Sequence, residues 1–153
     1  MDDTSIKKLV DQYIDLNFFI EKNVESLIKG QISSDLTNDQ QYMLRYINKV
    51  GVCTSSELAE IFNVKKSAIT AIINRLWDKG LILRTRDDKD RRMIYLTLTE
   101  AGKEVFNQSE VRIHQLVTSF ITQFDQEEIE AFMKTYEKLN QIILAAKDKN
   151  LGE

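Results

Sequence analysis

Residues 54–98 read TSSELAEIFNVKKSAITAIINRLWDKGLILRTRDDKDRRMIYLTL, and two periodicities meet in them. The first is helical. In TSSELAEIF, Thr54 and Glu57 stand at capping-box spacing, where each side chain can satisfy an orphan amide of the first turn. In SAITAIINRLWDKG (67–80), Ile69, Ile72, Ile73 and Leu76 make an i, i+3, i+4, i+7 stripe, the apolar face of a helix. Ser67 is positioned to cap its start and Gly80 to close it. Two short helices joined by NVKK predict a helix-turn-helix. The second period is two. In MIYLTL (93–98), Ile94, Leu96 and Leu98 share one face while Met93, Tyr95 and Thr97 share the other, as in a half-buried strand. Paired with LIL (81–83), it forms a hairpin around RTRDDKDRR (84–92), in which eight of nine residues are charged. A hairpin after a helix-turn-helix is a wing.

Outward from this stretch the pattern is helical on both sides. LTNDQQYMLRYI (36–47) opens with Thr37 and Gln40 as another capping box, and Gly51 ends it. Before it, Ile6, Leu9, Val10 and Tyr13 follow helical spacing, and the run broadens through Leu16, Phe18, Phe19 and Ile20 to Gly30. A long helix with more than one apolar side packs against something beyond its own small domain. After the wing, Val105, Ile113, Leu116, Val117, Phe120 and Ile121 belong to one helix. Ile129, Phe132, Met133, Tyr136, Leu139, Ile142 and Ile143 belong to a second, whose near-heptad stripe is too long for the small lobe to cover. The tail, residues 147–153, is expected to fray. The expected fold is mainly α with a small β-hairpin wing: an N-terminal helix (1–30), a winged helix-turn-helix lobe (31–98) and two C-terminal helices (99–153).

Composition narrows the function. The 153 residues are 42% hydrophobic and 29% charged, a soluble globular balance. No apolar stretch approaches the roughly 20 residues of a membrane helix, and the start, MDDTSIKK, lacks a signal peptide's apolar core. A cytoplasmic protein without a membrane partner is the expectation. One cysteine (Cys53) and one histidine (His114) rule out an intrachain disulfide, a cysteine zinc cluster and a His-rich metal site. Phosphate-loop and dinucleotide motifs are missing, as is any paired acid/base constellation. No cofactor, no metal and no enzymatic activity are expected. The net charge of −3 conceals an asymmetry: residues 65–92 hold nine Lys/Arg against four Asp, in a chain that is otherwise acidic. Since charge acts over roughly 8–10 Å in physiological salt, the local patch outweighs the total.

LTNDQQYMLRYI, then TSSELAEIFNVKKSAITAIINRLWDKGLILR, then DDKDRRMIYLTLTEAG cover residues 36–102 almost without interruption. Together they resemble the MarR family of bacterial transcription regulators, most specifically in the D-x-x-D-R-R wing followed by L-x-L-T-x-x-G. The resemblance implies one domain over residues 1–147, dimeric, binding pseudo-palindromic double-stranded DNA and usually repressing. It also implies frequent release by small molecules or oxidants. Three departures bear on base preference. The family commonly has a basic residue at Ala71, an acidic residue at Asn74 that pairs with a wing arginine, and a charged residue at Trp77.

The candidate DNA-binding residues follow from both readings. Ser67, Ala68, Thr70, Ala71 and Asn74 lie off the apolar stripe. Thr70 and Asn74, one turn apart, can address base edges, with Asn suited to adenine. Lys65, Lys66 and Ser67 at the helix start suit phosphate. Arg75 either binds phosphate or braces the wing. In the wing, Arg84 and Arg86 add positive charge, Lys89 suits phosphate, and Arg91 and Arg92 suit a narrow minor groove, with the aspartates holding the arginines extended. The other reading of this tip is a solvated hairpin whose charge prevents edge pairing, which would make the protein a winged-helix protein-interaction module without DNA binding.

A homodimer is expected to bury Ile6, Leu9, Phe120, Phe124, Phe132, Met133, Tyr136 and Leu139. The aromatic group Tyr13, Phe18, Phe19, Tyr42 and Tyr46 is chiefly core. By the resemblance, these residues could instead line a crevice for a small aromatic effector, and His114, read first as a surface or interface histidine, is the other candidate for its lining. Cys53 reads as a small buried hydrophobe, because no basic neighbour is present to activate its thiol.

Overall fold

A computed structural model describes residues 1–151. Its elements run α1 (Asp3–Lys29), α2 (Asn38–Val50), β1 (Cys53–Thr54), α3 (Ser55–Phe62), α4 (Lys66–Asp78), β2 (Ile82–Arg86), β3 (Ile94–Leu98), α5 (Glu100–Ile121) and α6 (Gln126–Leu151). The helices α2 and α3 begin where the sequence supplies an oxygen for orphan amides. Thr37 accepts from the Gln40 amide at 3.1 Å while the Gln40 side chain accepts from the Thr37 amide at 3.2 Å, completing the capping box. Thr54 Oγ1 accepts from the Glu57 amide at 3.2 Å.

The start of α4 differs from the expectation. Its N-cap is Lys65, with no side-chain cap bond, and Ser67 already lies inside the helix. The left-handed Asn63 (φ 53°) turns the chain, and helical geometry resumes by Lys66, before Ser67 can act as a cap.

The wing is part of a three-stranded antiparallel sheet of order β1-β3-β2, one strand more than the expected hairpin. Cys53 pairs with Leu96 and Thr54 with Tyr95 on one side of β3, while β2 runs from Ile82 opposite Leu98 to Arg86 opposite Ile94 on the other. The period-two reading holds, since Leu96 and Leu98 are buried. Around them the lobe closes on Met43, Leu44, Ile47, Leu58, Ile69 and Leu76. Burying each such side chain contributes on the order of 1.5–3 kcal/mol. The start of α5 joins this core through Gly102, Phe106 and Ser109.

The chain forms two compact units, residues 1–113 and residues from His114 onward, divided within α5. In the first, α1 buries Ile28 alone among its 27 residues. Tyr13, Phe18, Phe19 and, on α2, Tyr42 are therefore exposed within one chain, and only Tyr46 is half-buried, which corrects the expectation that they are core. The cause is that α1 ties to the lobe near its C-terminal end, where Asn38 Nδ2 donates to the Glu25 carbonyl (3.1 Å) and Lys29 Nζ to the Leu36 carbonyl (2.7 Å).

In the second unit, Phe124, Phe132, Met133 and Tyr136 are exposed, with Phe132 and Tyr136 stacked at 5.2 Å, while Phe120 and Leu139 are half-buried. Contrary to the fraying expected from residue 147, α6 runs on through Leu151. Gly152 and Glu153 lie outside the described residues. Among the described residues, no helix is long and apolar enough to cross a membrane.

Candidate nucleic-acid interface

The stripe of α4 decides what the helix can show. Ile69, Ile73 and Leu76 are buried, which leaves Ser67, Ala68, Thr70, Ala71, Asn74 and Arg75 on the exposed side, with Lys65 and Lys66 exposed at its start. A shallow cleft at this end is lined by Ala59, Asn63, Val64, Lys65, Ser67 and Ala68. First-turn amides and two ammonium groups make this the electropositive end of the helix. Thr70 Oγ1 donates to the Lys66 carbonyl at 2.8 Å, so its own helix takes the hydroxyl hydrogen and leaves the oxygen as an acceptor.

The wing tip is built on Asp87. Its Oδ1 accepts from the amides of Lys89 (2.8 Å) and Asp90 (3.4 Å), and its Oδ2 from the Tyr95 hydroxyl (3.1 Å). The Lys89 amide bond, followed by the Tyr95 and Asp90 bonds, lowers the Asp87 pKa, and Asp87 in turn raises that of Tyr95. Arg86 Nη1 donates to the Arg91 carbonyl at 2.8 Å, closing the loop from the other side. Asp90 Oδ1 accepts from the Arg92 amide (3.1 Å) and from Arg92 Nε (3.2 Å). The expectation that aspartates hold the arginines is met only at Arg92; Asp87 holds backbone and Tyr95 instead. Lys89 and Arg91 are exposed, and neither side chain has a hydrogen bond among the described residues.

Helix and wing meet at Arg84. Its Nη2 donates to Asn74 Oδ1, and its guanidinium carbon lies 5.0 Å from the centre of the Trp77 ring. This alters two sequence assignments. Asn74 has one lone pair of its carbonyl oxygen engaged by Arg84, so the bidentate adenine contact expected of it would share that oxygen with the joint. The contact between helix and wing is made by Arg84, and the Arg75 side chain makes no hydrogen bond or ion pair among the described residues.

Cys53 is 1% exposed within β1, and burial followed by the nearby Glu57 charge pushes its thiol up to about 11. Of the effector-crevice candidates, Tyr13, Phe18, Phe19, Tyr42 and Tyr46 fall in the first unit and His114 in the second. A cleft between α1 and the start of α2 is lined by Lys22, Glu25, Ser26, Lys29, Thr37, Asn38 and Asp39, and by none of those six. No group of three or more His, Cys, Asp or Glu side chains among the described residues could hold a metal ion.

A family model described as the MarR family matches residues 36–94. A transcriptional repressor of Bacillus subtilis named MdtR is 30% identical over 119 residues, 78% of this chain and 77% of that protein. The chain belongs to the MarR family. Among solved structures, a MepR-like protein complexed with pseudoligands is 30% identical, with a TM-score of 0.64 over 88% of this chain and 95% of that one. Streptococcus pneumoniae FabT, crystallised in complex with DNA, is 25% identical, with a TM-score of 0.70 over 94% of this chain and 99% of that one.

Within the MarR family pattern, the departures at Asn74 and Trp77 are both contacts of Arg84, joined in one structural feature. The resemblance implied a wing arginine opposite position 74, but sequence reasoning did not connect Trp77 to it. A signal was available, because positions 74 and 77 are three apart on a helix and face the same way. The roles of Asp87 with Tyr95 were also missed. Nothing in the linear pattern pairs a loop carboxylate with a phenol eight residues later until the register of β3 is known.

Proposed function

We propose that the protein is a dimeric, sequence-specific repressor that places α4 in the major groove of a pseudo-palindromic operator and the wing tip on the adjacent minor groove. The observation that carries this is the exposure of Lys65 and Lys66 at the start of α4 and of Lys89 and Arg91 at the wing tip, on a chain of net charge −3. An interaction module has no need of cations gathered at a helix N-terminus and a hairpin tip. Repression is supported by the similarity to a named repressor. Dimerisation is supported by the uncovered apolar side chains of α1 and α6, where Phe19 is 59% and Tyr136 56% exposed. Release by a small aromatic effector is the regulation that the exposed aromatics of α1 and α2 fit, and the similar MepR-like protein was solved with pseudoligands. Selection of bound duplexes from a random pool tests the reading. A palindromic consensus is expected, and recovery of no duplex above background would leave the interaction module as the better account.

A further inference from the structure

We propose that Asn74 and Trp77 form a neutral clamp on Arg84 that fixes the wing against the recognition helix, making Trp77 a positioning residue for sequence discrimination. The two clamp residues stand one turn apart on α4, whereas Arg84 sits mid-way along β2 opposite the buried Leu96. One end of the arginine is thus anchored in the sheet and the other in the helix that faces DNA. Trp77 lies under the guanidinium at 5.0 Å and Asn74 takes one Nη hydrogen, while the buried Nε has no hydrogen-bond partner. None of the ion pairs among the described residues includes Arg84, so no carboxylate neutralises it.

An ion pair at this joint would weaken in salt and would cancel a positive charge beside the DNA-facing surface. A cation–π contact and an amide bond bring no opposite charge to the joint. Arg84 therefore braces the wing and still adds its charge to the field that attracts phosphate. The joint is also a lever. A strand advances about 3.3 Å per residue, so Arg91, beyond the end of β2, swings with any rotation about Arg84. Freedom at the joint costs the minor-groove contact its register before it costs overall attraction. This role rests on the DNA-binding reading, but the clamp itself is testable without DNA.

Trp77 is the sole tryptophan, so its fluorescence reports on the joint. In the free protein, acrylamide should quench Arg84→Lys and Asn74→Ala more readily than wild type, since lysine lacks the planar fork that covers the ring. Unchanged quenching in both would show that no clamp exists. On operators with A·T or G·C flanks, Trp77→Ala should lose about two- to fivefold of the wild-type discrimination, the fold-change equivalent to an exposed cation–π contact. Trp77→Phe should restore it and Trp77→Leu should not, with thermal melts checking that each variant folds. Full discrimination in Trp77→Ala, or equal rescue by Leu and Phe, would overturn the proposal by reducing Trp77 to ordinary packing. If wild type binds no duplex, the proposed function and the discrimination role fall together, and the quenching result still decides the clamp.

Discussion

A β-carbon on Gly102 would fall 2.0 Å from the carbonyl oxygen of Leu81, so the first turn of α5 is pressed directly onto the backbone that enters β2. Thr99 completes the junction. Its amide donates to that same Leu81 carbonyl (3.1 Å), and its hydroxyl donates to the Gly80 carbonyl (2.7 Å) while accepting from the Gly102 amide (2.9 Å). The spacing of Leu96, Leu98, Thr99 and Gly102 is thus a mechanical joint between the wing and the helix that follows.

Gly102→Ala should accordingly destabilise the protein. Helix propensity alone would favour alanine by about 1 kcal/mol. Overpacking against a backbone oxygen, which has no rotamer to give, costs roughly 1–3 kcal/mol and should win. Thermal unfolding decides the sign, and a melting temperature at or above wild type would mean that α5 slides away without loss.

Cys53 should be chemically silent. With its thiol at about 11, the thiolate fraction at pH 7 is about one part in ten thousand. Cys53→Ser should bind DNA as wild type does and respond identically to peroxide; release of wild type alone by mild peroxide would contradict this. The linkage sign can also be checked. An unfolded thiol ionises near 9 and the folded one near 11, so between these values the folded state holds more protons. Stability should fall as pH rises through that window, by at most about 1.4 kcal/mol per pH unit, and Cys53→Ala should lack that component.

Sedimentation at micromolar concentration should give about twice the chain mass of 17.8 kDa. Phe132→Glu, which sets a carboxylate beside the stacked Tyr136, should shift the population toward monomer. A well-behaved wild-type monomer would remove the interface assignment for Ile6, Leu9, Phe120, Phe124, Phe132, Met133, Tyr136 and Leu139.

The wing and the helix start should fail differently. Lys66→Ala should weaken binding to all sequences alike and reduce the salt slope by roughly one unit. Arg91→Ala should reduce the slope and also weaken A·T-flanked sites more than G·C-flanked ones. Arg92→Ala should have the smaller effect, because Asp90 already engages that side chain. Recognition helices in a two-fold dimer lie about 34–36 Å apart, so footprints should recur one helical turn apart. Equal loss at both flanks for Arg91→Ala would make the tip a phosphate contact only.

Asp87→Ala should loosen the tip without unfolding the lobe. The amides of Lys89 and Asp90 lose their acceptor and should exchange hydrogen faster, while those of the buried β3 residues Leu96 and Leu98 should not. Acid should act the same way. The Asp87 pKa is lowered on folding, so the bonds are intact above the ordinary carboxylate range and are lost as pH falls through the folded value. Unchanged exchange in the variant would mean that the turn is held without Asp87, by the Arg86 and Asp90 bonds and the backbone bonds of Met93.

The sequence by itself determined the elements whose causes are local. The capping residues Thr37 and Thr54, the stripe Ile69–Ile73–Leu76 and the alternation Ile94–Leu96–Leu98 each encode an element within a turn or two of chain, and all appear where the periodicity puts them. The basic tip was legible for the same reason, since charge needs no partner to be read. Tertiary structure decided whatever depends on a partner distant in sequence. It added β1, whose two residues carry too little pattern to be seen but pair with β3. It left Phe18 and Phe19 uncovered, because an apolar side chain is buried only where a neighbour reaches it. And it gave Arg84 to Asn74 and Trp77, because spacing sets which residues share a face, but only the packing of sheet on helix decides which side chain that face will meet.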